Sequence, residues 1–514
     1  MSDDKIIKKL QNSFKLNGLL VRREFCNLIN ESLKGEGIDL SDNESFDSYI
    51  RQLCNRLEKQ CVNNKSIEKE DIQHAIEGCL YAGYDKHETV FNIISAFKFP
   101  KLIYNPDRKL YCLNKKKSSL LSDANSKAQL FIDRYNSILQ RVQRNFKVNT
   151  ENFNLQTVDY LLTLSHKTLD KTLILGSLSQ VSEGKYYLED PTGIVELDLK
   201  HAKYQKGFFV ENTFVLANGF YEDKVLQVSS ILLPPGEEYE DSRPTFGNLN
   251  YFGGHSTIPL RESQRLKEHM MRNSSRVIFF FSDLWLDHPM VFEKLETIFN
   301  GLVATPPIAF VFMGNYMSES HGSEYLETLK KLFKQLGELI RNFSTLINGS
   351  EFVFVPGLSD PCTPHILPRL PLPKFVTEEL SKNVPKAVFP TNPCRLQYCS
   401  REITILRMDI LPKLMQGSLR KPEKDEIGLC VSRTVVSQGH LSPLSLNALT
   451  VHWDYDYTLR LYPLPDLVVI GDKSESYTGE YKGCLVTSPG SFCDSGFQFK
   501  CYTPFENIVE DCAV

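Results

Sequence analysis

Three stretches of this sequence place side chains able to hold a cation or move a proton in strand-end positions. The apolar run Val277-Ile278-Phe279-Phe280-Phe281 leads into Ser282-Asp283-Leu284-Trp285-Leu286-Asp287, and the run Ile308-Ala309-Phe310-Val311-Phe312-Met313 leads into Gly314-Asn315-Tyr316-Met317. Farther on stands Gly439-His440-Leu441-Ser442. Carboxylate, carboxamide and imidazole are the groups that hold divalent cations during phosphate-ester hydrolysis. In that chemistry two ions about 3.5–4 Å apart polarise the phosphate while a positioned acid protonates the leaving oxygen.

Such a site needs its full ligand set, and this sequence lacks much of it. A metallophosphoesterase begins with Asp-x-His, yet Asn248-Leu249-Asn250-Tyr251-Phe252-Gly253-Gly254-His255 carries no carboxylate. Where Gly-Asp-x-x-Asp is needed, Asp283 fits the bridging position, but the second acid falls one residue late, at Asp287. Where Gly-Asn-His-Asp or Gly-Asn-His-Glu is needed, Asn315 remains while Tyr316 and Met317 take the last two places. The strand Phe352-Val353-Phe354-Val355 empties into Pro356-Gly357-Leu358-Ser359-Asp360-Pro361 without the expected imidazole. The final Gly-His-x-His keeps His440 and replaces the second histidine with Ser442. A phenol titrating near 10 is a poor proton donor at neutral pH. Asp283, Asn315, Tyr316, His440 and Ser442 therefore read as vestigial phosphoesterase positions, with no catalytic residue, no metal site and no cofactor expected. Three of them have a structural use: Asp283 as a cap for the helix beginning near Pro289 or as an acceptor for neighbouring loop amides, Asn315 in a tight loop, His440 hydrogen-bonded in a core.

The elements that must position these residues are an alternation of buried strands and helices. Continuous apolar runs predict strands covered on both faces, and helical periodicity over 291–299 and 324–340 completes an α/β layered domain. Upstream, Leu173-Ile174-Leu175, Tyr186-Tyr187-Leu188, Ile194 to Leu199, Phe214 to Ala217 and Val225 to Val228 form about five short strands. With the turn Asp190-Pro191-Thr192-Gly193 they suit a small closed barrel of the OB type. The first hundred residues show helical spacing at Ile50, Leu53, Leu57 and Cys61, with Ser66 and Asp85 as caps. Val90, Phe91, Ile94 and Phe97 predict the apolar face of a further helix ended by Pro100. The expected division is a helical module over 1–100, a connector over 101–154, an OB fold over 155–240 and a phosphoesterase-like domain over 241–514. The connector holds a helix from about Asp123 to Val142 and a solvated Lys115-Lys116-Lys117 run.

Composition limits the alternatives. The chain has 514 residues, 41% apolar and 24% charged, which predicts several soluble globular domains, and no apolar run has the length of a membrane span. The acidic opening Met1-Ser2-Asp3-Asp4 is unlike a secretory signal, so an intracellular protein with reduced thiols is expected. None of the 13 cysteines forms a Cys-x-x-Cys pair, and Cys394 with Cys399 lacks the spacing of a zinc site. A net charge of −4 offers no general attraction for nucleic acid. Direct single-strand binding by the barrel would use Tyr186, Tyr187, Phe208, Phe209, Phe220 or Tyr221 as stacking platforms. Glu183, Glu189, Asp190, Glu211, Glu222 and Asp223 surround them with negative charge.

Several segments in fixed order carry a resemblance. They are Phe14-Lys15-Leu16 with Gly18-Leu19-Leu20, Leu188-Glu189-Asp190-Pro191-Thr192-Gly193, and Phe281 to Asp287. To these are added Phe352 to Gly357, Thr391-Asn392-Pro393-Cys394-Arg395, Ser437-Gln438-Gly439-His440-Leu441 and Tyr462-Pro463-Leu464-Pro465-Asp466-Leu467. Over nearly its whole length the chain resembles the B-subunit family of the DNA polymerases alpha, delta and epsilon, in its epsilon branch. The resemblance implies a multidomain α+β protein: a helical module similar to AAA+ lid domains, an OB fold and an inactivated calcineurin-like phosphoesterase domain. It also implies a noncatalytic scaffold in chromosomal replication in the nucleus. The implied partners are the zinc-bearing C-terminal region of the polymerase epsilon catalytic subunit, the small histone-fold subunits of that complex, and the replicative helicase through GINS. Contact with DNA would be mostly indirect, and no membrane is involved. The alternatives are a metal-dependent phosphodiesterase or nuclease, and a single-strand-binding OB module.

Overall fold

The computed structural model describes residues 3–16, 21–35, 89–149, 155–164 and 169–514 apart from 257, 320–321 and 362–363, together with residues 53 and 72. Helices α1 (Asp3–Leu16) and α2 (Arg23–Gly35) pair at the N-terminus. Ile6, Ile7, Leu10 and Phe14 of the first and Phe25, Cys26 and Ile29 of the second are buried, as i, i+3/i+4 apolar spacing requires. Leu53 and Ile72 are helical and fully buried. Ile50, Leu57, Cys61, Ser66 and Asp85 lie outside the described residues.

Over residues 89–100 the expected helix is not formed. Phe91–Ser95 is instead a strand, β1, followed by a short 3-10 turn at Ala96–Lys98. β1 lies antiparallel along the edge of a distant strand, with Phe91 opposite Tyr398 and Ser95 opposite Cys394. A short segment with two isoleucines and a phenylalanine satisfies either periodicity, and the backbone donors and acceptors of an open sheet edge decide the matter.

After the hairpin β2 (Leu102–Asn105) and β3 (Leu110–Leu113) comes α3 (Ala124–Asn149), longer than the predicted connector helix. It is not an isolated connector. Tyr135, Ile138 and Val142 pack on Leu175, Phe214 and Leu216 of the barrel, while the buried Arg141 guanidinium donates to the carbonyls of Val436 and Ser437. Lys115, Lys116 and Lys117 are partly or fully exposed.

The barrel is built from β4 (Leu155–Gln156), β5 (Leu169–Ser182), β6 (Lys185–Asp190), β7 (Gly193–Asp198), β8 (Lys203–Tyr204), β9 (Phe214–Glu222) and β10 (Val225–Leu232). Pairing in the order β5-β6-β7-β10-β9 and back to β5 closes five strands, so the barrel strands leave no free edge. Asp190 Oδ1 accepts the amides of Thr192 and Gly193, at 2.7 and 3.0 Å, and shapes the β6–β7 turn. Phe208, Phe209 and Tyr221 point into hydrophobic cores rather than outward, leaving Phe220 as the exposed ring of those four aromatics.

Residues 264–514, with β1 added at one edge, form two mixed sheets stacked between helices. One runs β14 (Ala387–Val388), β13 (Glu351–Val355), β12 (Ala309–Met313), β11 (Ile278–Ser282), β20 (Gln498–Thr503), β21 (Ile508–Ala513). The other runs β1, β15 (Cys394–Tyr398), β16 (Arg401–Arg407), β17 (Leu467–Gly471), β19 (Cys484–Ser488), β18 (Tyr477–Tyr481). Their inner faces share one core in which Phe280, Val311 and Val353 meet Leu396, Ile405 and Val469. On the outer face of the first sheet, Phe281, Phe312 and Phe354 pack under helices α5 (Val291–Leu302), α6 (Tyr325–Arg341) and α7 (Lys374–Asn383), α4 being Gln264–Arg272. α8 (Ile427–Gln438) covers the second sheet through Cys430, Val431 and Val435. This is the two-sheet layout that the resemblance implies.

Candidate functional site

The parallel strands of both sheets end together. Ser282, Met313 and Val355 are register partners across β11, β12 and β13, so Asp283, Gly314 and Pro356 follow one another along the sheet's rim. In the facing sheet Arg407 pairs with Gly471 where β16 and β17 end. A Cβ on Gly471 would stand 2.7 Å from Ser282 Oγ and 2.8 Å from Arg407 Cδ, so the two rims touch. Strand ends at such a crevice are where α/β folds place their chemistry.

A guanidinium fills the crevice. Arg407 has no exposed side-chain surface; its Nη2 donates to Asp283 Oδ1 at 2.5 Å and its Nη1 to Asp409 Oδ1 at 2.8 Å and Gly471 O at 3.0 Å. Its Nε donates to the Gly314 carbonyl. Asn392 holds the backbone of the same residue, its Oδ1 accepting Arg407 N at 3.1 Å and its Nδ2 donating to Arg407 O at 2.8 Å. Burial disfavours the Arg407 charge, but Asp283 and Asp409 outweigh it and hold the guanidinium above its ordinary value. Burial pushes the Asp283 carboxyl up, against the opposing pull of Arg407.

Asp283 does not cap a helix. α5 begins at Val291 with Met290 at its N-cap, and Asp283, in the left-handed region at φ 52°, turns back into the crevice. There its Oδ1 also accepts the Asn315 amide at 3.2 Å. Asn315 Oδ1 in turn accepts Ser359 N at 2.8 Å, which ties the second strand end to the third.

Tyr316 turns away from the crevice. Its ring is fully buried edge-on to Phe333 at 5.1 Å, and its hydroxyl reaches the carbonyls of Phe312 at 2.9 Å and Val355 at 3.0 Å. Burial and the neighbouring Asp360 raise this phenol well above its ordinary value, removing it from acid chemistry. Asp360 holds the loop at the third strand end: its Oδ1 accepts Tyr316 N at 2.9 Å and its Oδ2 accepts Gly357 N at 2.6 Å. Arg369 braces this loop by donating to the carbonyls of Gly357, Leu358 and Asp360.

His440 and Ser442 belong to a separate network. His440 Nε2 lies 3.4 Å from Asp456 Oδ2, its Nδ1 accepts Ser442 N at 3.1 Å, and Arg134 of α3 forms an ion pair with Asp456. Burial lowers the His440 pKa, and Arg134 adds to the effect. The structure thus brings Asp283 and Asn315 together, buries Tyr316 behind them, and uses His440 with Ser442 to fasten α3. Among the described residues, no group of three or more His, Cys, Asp or Glu side chains is arranged to hold a metal ion.

Sequence reasoning missed Arg407, Asp409, Asn392, Asp360 and Arg369. One signal was present: Ile403-Thr404-Ile405-Leu406-Arg407-Met408-Asp409 is an apolar strand ending in two opposite charges two residues apart, as a polar strand-end site would be.

Three family models match along the chain. A family model described as the B subunit of DNA polymerase alpha/epsilon matches residues 278–479, one for the OB-fold domain of DNA polymerase epsilon subunit 2-like proteins matches 124–235, and one for the N terminus of DNA polymerases epsilon matches 2–79. DNA polymerase epsilon subunit 2 of Homo sapiens is 38% identical, with 99% of each chain covered. The chain belongs to the DNA polymerase epsilon subunit 2 family. Within that family the Drosophila melanogaster subunit 2 is 37% identical over 98% of this chain and 97% of its own, and the B subunit of Arabidopsis thaliana DNA polymerase epsilon is 31% identical over 98% of each. As a DNA polymerase epsilon subunit 2 relative, the chain is an accessory replication subunit of a polymerase complex that has a catalytic subunit elsewhere.

Proposed function

We propose that the chain is noncatalytic and acts by geometry, binding the C-terminal region of the polymerase epsilon catalytic subunit and joining it in the nucleus to the replicative helicase. In this reading Asp283, Asn315, Tyr316, His440 and Ser442 are remnants of a phosphoesterase site put to structural use. The observation that carries it is the Arg407 guanidinium lodged between Asp283 and Asp409, where phosphoesterase chemistry would require cations. Tyr316, with its hydroxyl committed to strand carbonyls, supports the same reading, because no proton donor faces the crevice from that loop.

The barrel and the sandwich are the bodies suited to grip the catalytic subunit, since Tyr160, Leu162, Val181, Ile194 and Phe220 on the former and Met271, Leu370 and Phe505 on the latter are exposed apolar side chains. The helical module at the N-terminus is the part proposed to reach the helicase through GINS, and the small histone-fold subunits would join through the same assembly. Coexpression with the catalytic subunit's C-terminal region tests the central claim: a stable coeluting complex is expected, and its failure to form refutes the reading. A manganese-dependent phosphodiesterase assay is expected to show nothing above background. Turnover that Asp283→Asn abolishes would favour the enzyme instead.

A further inference from the structure

The rim of the two sheets builds an oxygen-lined cage. Asp283 Oδ1, Asp409 Oδ1 and the carbonyl oxygens of Gly314 and Gly471 surround one guanidinium, and Arg407 donates to every one of them. Two carboxylates with two backbone carbonyls are a ligand set for a hard divalent cation. The second Asp283 oxygen, Oδ2, is buried without a hydrogen bond.

The divalent ions of phosphoesterase chemistry nevertheless do not fit the residues present. No imidazole lines the cage, and a guanidinium with five fixed N–H donors occupies it. We propose that Arg407 is a resident cation: the chain carries in its own side chain the positive charge that metal ions supply in a phosphoesterase, so the strand ends close on folding without metal and stay shut to divalent ions. This inference rests on the noncatalytic reading above.

The surroundings agree with a dedicated role. Asn392 fixes the Arg407 backbone on both its N–H and its C=O and also donates to Pro356 O at 3.0 Å, linking the guanidinium to the third strand end. Asp409 accepts Lys473 N at 3.1 Å, and Asp472 Oδ2 accepts the amides of Ile410 and Leu411 at 2.8 and 2.7 Å. The loops beyond both β16 and β17 are therefore set by the same small group of carboxylates. Removing the guanidinium alone would leave two carboxylates and two carbonyls without their shared donor, an oxygen set open to a divalent ion.

The test uses the full chain as wild type, Asp283→Asn, Arg407→Gly, Arg407→Met, Arg407→Lys and the double variant Arg407→Gly/Asp283→Asn. Thermal unfolding is followed with and without millimolar MnCl2 at matched ionic strength, and bound Mn2+ is counted by electron paramagnetic resonance. The wild type is expected to take up no Mn2+ through Asp283 and to keep its midpoint when the ion is added. Arg407→Gly is expected to lose roughly 10 °C and to recover much of it with Mn2+, while the double variant recovers nothing. Arg407→Met should fall as well, because an apolar side chain leaves both carboxylates uncompensated. The proposal is overturned by an Arg407→Met protein as stable as the wild type, by an Arg407→Gly protein indifferent to Mn2+, or by Mn2+ uptake in the wild type that Asp283→Asn removes. Should Arg407→Gly not fold, Arg407→Lys, which keeps the charge but not the fork, must lie between wild type and Arg407→Met. Mn2+ uptake without phosphodiester turnover would refute the resident cation alone, whereas turnover would refute the noncatalytic reading.

Discussion

Placing a histidine at position 316 should damage the protein and add no chemistry. The Tyr316 ring is fully buried against Phe333 and Phe354, and its hydroxyl is shared between the carbonyls of Phe312 and Val355. An imidazole is too short to reach either carbonyl and leaves a void beside Phe333. The lost contact volume costs about 1–3 kcal/mol and the buried polar ring without its partner about 1–3 kcal/mol more, so Tyr316→His should destabilise by about 3 kcal/mol. For a domain of this size that is a fall of roughly 6–12 °C in unfolding midpoint. Tyr316→Phe keeps the ring and loses only the hydroxyl, which sets its cost near 1 kcal/mol. Urea unfolding followed by circular dichroism gives the two differences, and hydrolysis of a nitrophenyl phosphodiester with manganese gives the activity. The new imidazole would point toward β12 and β13 rather than toward Asp283, so no turnover is expected. A stable Tyr316→His protein, or one that gains manganese-dependent hydrolysis, would refute the placement of this side chain.

Three further outcomes follow from the same geometry. Gly357→Ala would set a Cβ 2.5 Å from Asn315 Oδ1 and 2.6 Å from Asn315 N, so a loss of more than about 2 kcal/mol is expected in urea unfolding, against little change for Gly301→Ala, which has open space. Glu402 is buried and accepts the Tyr251 hydroxyl at 2.8 Å; burial raises its pKa to about 7 from 4.5, against the pull of Arg261. Its stabilising contribution is therefore complete below about pH 4.5 and disappears as pH rises through about 7, a fall of up to a few kcal/mol that Glu402→Gln should abolish in a pH series of melts. The His440 pKa is lowered by burial, so its contribution holds above its ordinary value of 6.5 and is lost as pH falls below it; His440→Gln should flatten the fall in stability below about pH 6.5. Asp456, depressed by Arg134 and His440 despite its burial, adds a separate loss only below its unfolded value near 4.

Local chemistry made much of the fold legible. Apolar runs such as Val277 to Phe281 and Phe352 to Val355 could only be strands buried on both faces, and Asp190-Pro191-Thr192-Gly193 announced a turn whose side-chain bonds the structure contains. The barrel strands and the helices near 291 and 325 followed from periodicity, because burial of one face is a local property of spacing. Residues 91–95 show the limit: the same apolar spacing serves a helix or a strand, and the open edge at β15, some three hundred residues away, chose the strand.

The candidate site divides along the same line. Sequence alone determined which groups stand at strand ends, and thus that Asp283 and Asn315 could meet while Tyr316 could not replace an imidazole. Only the tertiary structure decided that His440 turns to Asp456 and α3, and that Asp283 faces a guanidinium 124 residues further along the chain. The physical reason is that residue type and spacing are written along one strand, whereas the partner of a buried charge is selected by how two sheets stack. Arg407 meets Asp283 because the facing cores of Phe280, Val311, Ile405 and Val469 bring the two rims together.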